Sequence, residues 1–187
     1  KADGSFDSGI PAEEDDLLSA VFVNANGTRN VIPVSRQVFR DGTVGLFQGG
    51  GVLESTNAQG VVQVLVEAGA VPGRTKFKIE ALDAQALPPF VTNVPSGSPK
   101  PLGGLRVRLS GDSLVQSMDV SFPIDPAELG LPQGESPTNA TYALAIPREK
   151  FDAESGKTNT VYEIIDRMQY EDGKLVTHSP PFYGLLP

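Results

Sequence analysis

Between Arg40 and Leu82 the chain runs as short apolar segments broken by turn residues, and this punctuation limits the fold more than any other feature. Thr75, Phe77, Ile79 and Ala81 alternate with Lys76, Lys78 and Glu80. A strand sends successive side chains to opposite faces, so a period of two puts the first set on one face and the charges on the other. Burying Phe77 and Ile79 contributes about 1.5–3 kcal/mol each. A slip of one residue would bury Lys76, Lys78 and Glu80 instead, and the cost of unpaired buried charge pins the register. Upstream, Val62, Val64 and Val66 share one face, and Val61, Gln63, Leu65 and Glu67 share the other. Apolar residues on both faces suit a strand inside a sheet. The segments 57–60 and 68–73 supply glycine and proline for turns. No helix-length pattern separates the strands, which predicts antiparallel pairing.

This stretch resembles the bacterial immunoglobulin-like repeats of invasin- and intimin-type surface proteins. The matching residues are Phe47, Gly49, Gly50, Gly51, Leu53, the turn from Asn57 to Gly60, Val62, Val64, Ala68, Gly69, Pro72, Gly73 and the run from Phe77 to Ala81. The resemblance covers roughly residues 17–95. It implies an immunoglobulin-like sandwich acting as a stalk or presenting module, and it carries no catalytic residue across.

The rest of the chain extends the β pattern. Residues 1–16 are rich in glycine, serine and acid and read as a flexible linker. The sharper alternative is a calcium site built from Asp3, Asp7, Glu13, Glu14, Asp15 and Asp16, but their spacing does not fit an EF-hand loop. Leu17 to Val23 predicts a first strand, and Asn26-Gly27 and Asp41-Gly42 are hairpin turn pairs. Pro33 confines its segment to a sheet edge or bulge. Pro88-Pro89 and the run from Pro95 to Pro101 break regular structure, which places a domain boundary near residue 98. The alternative is a long loop inside a single sandwich.

Beyond it, Leu105, Val107 and Leu109 alternate with Arg106 and Arg108. Met118, Val120, Phe122 and Ile124 alternate with Asp119, Ser121 and Pro123, and Tyr142, Leu144 and Ile146 with Ala143 and Ala145. Val161 to Ile165 is a further strand, and residues 171–174 form a hairpin turn. Asp125, Pro126, Glu128 and Gly130 predict a single helical turn with a capping box. This half is loosely similar to the β-sandwich shared by zonula-occludens proteins and netrin receptors. The expected fold is all-β, two tandem antiparallel immunoglobulin-like sandwiches over 17–97 and 98–187 after the linker 1–16.

Composition narrows function. The 187 residues carry 15 Lys and Arg against 23 Asp and Glu, a formal charge of −8. Nucleic-acid binding needs clustered cations to displace counterions, and the basic residues are dispersed along the chain, so no nucleic-acid partner is expected. With no cysteine there is no disulfide, thiol catalysis or Cys-based zinc site. No apolar run of transmembrane length predicts membrane insertion, and no signal peptide opens the chain, whose abrupt Lys1 is compatible with a trimmed leader.

Each candidate for chemistry has a plainer reading beside it. His178 is the only histidine, no GxSxG elbow accompanies it, and one histidine cannot build a multi-His metal site. Gly156-Lys157-Thr158 matches the end of a phosphate-binding loop, but Phe151 stands where the first glycine belongs. Glu163, Asp166, Glu171 and Asp172 are the acids that would serve a glycosidase pair. Tyr162, Tyr170, Phe182 and Tyr183 gather toward the C-terminus as the nearest thing to a glycan-binding platform, against the simpler reading of core aromatics. The expectation is therefore a non-enzymatic structural or adhesion module that spaces or presents a binding surface. It would need no cofactor or metal, would meet a protein or glycan, and would work outside the cell, on its surface or in the periplasm of a bacterium. The alternative is a carbohydrate-binding module using those aromatics.

Overall fold

The structure, a computed structural model, describes residues 19–33, 36–88, 99–111, 114 and 116–177. The acidic segment 1–16, His178, Phe182 and Tyr183 lie outside the described residues.

Among the described residues twelve strands follow one another: β1 Ser19–Val23, β2 Arg29–Pro33, β3 Arg36–Val38, β4 Val44–Leu46, β5 Gly51–Asn57, β6 Gly60–Val66, β7 Thr75–Leu82, β8 Gly104–Gly111, β9 Asp119–Pro123, β10 Tyr142–Asp152, β11 Lys157–Glu171 and β12 Lys174–Thr177. Every pairing is antiparallel. The strands build a two-stranded sheet, β1-β2, a four-stranded sheet ordered β3-β4-β7-β8, and a six-stranded sheet ordered β10-β11-β12-β9-β6-β5.

The alternation around residue 77 holds. Thr75 and Phe77 are buried, while Lys78 and Glu80 face solvent. β6 lies inside its sheet, between β9 and β5. Val62, Val64 and Val66 are buried, whereas Val61 and Leu65 on the opposite face are exposed. Met118, Val120, Phe122 and Ile124 are all buried.

One core serves both larger sheets. It contains Val44, Leu46 and Phe77 from the four-stranded sheet, and Leu53, Val62, Val64, Val120, Phe122, Tyr142, Met168 and Leu175 from the six-stranded sheet. A cross-link joins the two: the Ser55 hydroxyl of β5 accepts from the Ala81 amide of β7 at 2.9 Å.

The expected boundary near residue 98 does not part the sheets. β6 pairs with β9 through Val64 and Val120, and β7 pairs with β8 along its whole length, from Thr75–Gly111 to Leu82–Gly104. The proline-rich run therefore falls in the connection between β7 and β8, paired neighbours in the four-stranded sheet. Proline and glycine mark where a chain leaves regular structure, and a long loop between paired strands has the same composition as a linker.

Gly50 shows how local chemistry sets the bend into β5. Its φ of +67° is unfavourable for residues with a Cβ, and a Cβ there would stand 2.2 Å from the Val66 carbonyl oxygen. At the other end, Asp172 and Gly173 take φ of 46° and 80°, the two positive values of a tight hairpin turn, and link β11 to β12. The expected helical turn is a short 3₁₀ segment, Pro126–Leu129. Asp125 caps it by accepting from the Ala127 amide at 2.9 Å, and Gly130 closes it at φ +66°. The Glu128 carboxylate does not complete a capping box with Asp125; it accepts from Gln59 Nε2 at 2.6 Å.

Candidate functional site

Of the four aromatics expected to bind, two are described and both are half-buried. The Tyr162 hydroxyl donates to the Pro88 carbonyl at 2.6 Å, tying β11 to the loop after β7. Tyr170 packs against the core. Burial raises the Tyr162 hydroxyl pKa above its ordinary value. The same cause, followed by the neighbouring Tyr170, raises that of Tyr142, whose hydroxyl donates to the Pro137 carbonyl at 2.9 Å.

The acids are similarly accounted for. Glu163 pairs with Arg148 at 3.3 Å. Asp166 is buried, and one of its oxygens accepts from the Arg167 amide at 2.7 Å. Glu171 and Asp172 belong to the β11–β12 turn. Gly156-Lys157-Thr158 sits at the β10–β11 turn, where Gly156 has φ +67° and donates to the Asp152 carbonyl. That is a strand-to-strand turn, which lacks the following helix of a phosphate-binding loop. Among the described residues no group of three or more His, Asp or Glu is placed to hold a metal ion. No helix among them is long and apolar enough to cross a membrane.

Two features that the sequence reading missed stand out. The first is apolar side chains carried outward on hairpins. On β1-β2, Val21, Phe22, Val23 and Val31 are exposed, Phe22 by 55%. The β10–β11 hairpin pairs from Tyr142–Met168 to Asp152–Lys157 and carries Phe151, Val161 and Ile164, of which Phe151 is 66% and Ile164 67% exposed. Exposed apolar side chains gathered on neighbouring strands mark interaction surfaces more often than scattered ones do.

The second feature is a cleft of about 920 Å³ bounded by β8 on one side and by β10 and β11 on the other. Leu87, Leu105, Phe122, Ile146, Tyr162 and Ile165 are among its lining residues. A volume of this size with mostly apolar walls is typical of binding clefts. Above β8, the outward face of the four-stranded sheet gathers Lys76, Lys78, Arg106 and Arg108, although the chain as a whole is acidic. Their shared face was legible in each strand's alternation, but their pairing across residue 98 was not. Further along this sheet the Arg74 guanidinium lies 5.8 Å from the Phe39 ring centre and 6.0 Å from that of Phe47, and the Lys76 ammonium 5.6 Å from Phe39. Such contacts hold cations on aromatic faces.

A scan against protein-family models, a search of curated proteins and a search of solved structures each found no match to this chain.

Proposed function

We propose that this chain is a non-enzymatic structural or adhesion module whose two larger sheets act as one β-sandwich that presents a binding surface to a partner. The observation that carries the reading is the exposure of Phe22, Phe151, Val161 and Ile164 on hairpins instead of in the core. Leaving large apolar side chains in water forgoes about 1.5–3 kcal/mol each, a cost that a partner surface would recover. Strand edges and hairpins are common places for a β module to meet another protein. The resemblance to immunoglobulin-like surface repeats and the absence of cysteine favour an extracellular, cell-surface or periplasmic setting in a bacterium.

Adhesion of coated beads tests it. Beads carrying the chain are flowed over immobilised extracellular-matrix proteins and cultured cell layers. The Phe22→Ser, Phe151→Ser double variant should be retained several-fold less than the parent chain while melting at the same temperature. Equal retention of parent and variant would contradict the proposal.

A further inference from the structure

The four-stranded sheet ends at β8, which pairs with β7 along one edge and, among the described residues, with no strand along the other. The apolar cleft adjoins the start of this strand, at Gly104, Leu105 and Arg106, with β10 and β11 as its far wall. Leu105, Val107 and Leu109 of β8 pack against the core yet stay half-buried. A free strand edge beside an apolar cleft is a template for one more strand.

The charges on the outward face say which strand would fit. In the β7–β8 register Arg106 stands opposite Glu80 and Arg108 opposite Lys78. Arg106 and Glu80 form an ion pair at 2.6 Å. Lys78 and Arg108 are like charges directly opposed; the Asp41 carboxylate attracts Lys78, and an anion beside Arg108 would relieve the pair further. Arg108 makes no ion pair among the described residues.

We propose that the free edge of β8 and its adjoining cleft accept an extended peptide from a partner protein, added as a fifth strand and alternating apolar with acidic residues. Cross-strand neighbours share a face. Residues opposite Leu105, Val107 and Leu109 would therefore point to the cleft side, and those opposite Arg106 and Arg108 would lie on the cationic face. The same arginines disfavour a second copy of this chain, because antiparallel β8–β8 pairing sets arginine against arginine. This inference rests on reading the chain as a binding module. The cleft shares Val161 and Ile164 with the proposed adhesion surface but not Phe22 or Phe151, so variants at those two phenylalanines let the two readings fail separately.

The test uses a labelled eight-residue peptide alternating valine and glutamate, with a valine–lysine peptide as control. Fluorescence anisotropy reads affinity, and amide hydrogen exchange reads the site. The glutamate peptide should bind the whole chain and slow exchange across residues 104–111. Arg108→Glu should weaken it by about fivefold, the effect of exchanging one exposed attraction for one repulsion, and should strengthen the lysine peptide. Ala145→Phe, which narrows the cleft, should weaken both; should that variant misfold, Arg108→Glu on the exposed face still decides the matter. The Phe22→Ser, Phe151→Ser variant should keep the peptide whatever it does to surface retention. No binding at about 1 mM, equal affinity for the two peptides, or binding without protection of β8 would overturn the proposal. Protection of the free β8 edge before peptide is added would also overturn it. Insensitivity of that protection to dilution would assign the edge to the chain itself, and loss on dilution would assign it to a second copy.

Discussion

Gly50 is the residue where backbone chemistry constrains the fold most tightly. Its positive φ and the nearby Val66 carbonyl leave no room for a Cβ. Gly50→Ala should destabilise the chain by about 3 kcal/mol or more, since the left-handed conformation alone costs roughly 1–2 kcal/mol and the close approach adds to it. Denaturant unfolding of the variant checks this; a change under about 1 kcal/mol would contradict it. Asp41 offers a pH-dependent counterpart. Its carboxylate accepts from the Thr43 hydroxyl at 2.6 Å and from the Thr43 amide at 2.9 Å, and these bonds, the hydroxyl first, hold its pKa below the ordinary carboxylate value. A lowered native pKa adds stability that is present above the unfolded-state value and is lost as pH falls through the native one. Thr43→Val should raise the Asp41 pKa toward ordinary and shrink this acid-range dependence, as NMR titration of the side chain would show. The glycine run 49–51 announced a bend in the sequence. Which of its members lies against β6 depends on a strand outside the run.

At the scale of elements, regular alternation was legible and interruptions to it were not. β7, β8 and β9 follow their sequence pattern because each keeps an unbroken period of two. β10 and β11 do not: their register shifts between Leu144 and Ala145, leaving Ile165 unpaired in the ladder. Adjacent Ile165 and Asp166 are consequently both buried, which a strict period of two forbids. The sequence therefore showed a short strand near Val161–Ile165 where the structure has β11 running from Lys157 to Glu171. Among the described residues the β1-β2 hairpin is a separate sheet whose ladder joins no other strand. A chain beginning at Arg36 should then melt within about 4 °C of the full chain, the shift expected of roughly 1 kcal/mol in a domain of this size. Loss of cooperative melting in circular dichroism would show that the hairpin is part of the main fold.

For the whole molecule, the all-β class was legible and the partition was not. Composition reports where strands stop, whereas partner choice depends on contacts far apart in sequence, such as Gln63 with Ser121 and Phe77 with Leu109. The exposed apolar side chains of the hairpins and the β8 cleft escaped the sequence for the same reason. Phe151 and Val161 have the same composition signal whether they are core or exposed, and the cleft's walls, β8 on one side and β10 and β11 on the other, belong to different sheets. Because both larger sheets and their common core draw on both halves, unfolding one half should unfold the other. All four tyrosines lie beyond residue 98 and tryptophan is absent, so a Phe77→Trp variant gives each half its own fluorescence. Urea unfolding of that variant, followed through both signals, is the most direct test. The account predicts superimposable single transitions with one midpoint; two separated transitions, one for each half, would contradict it.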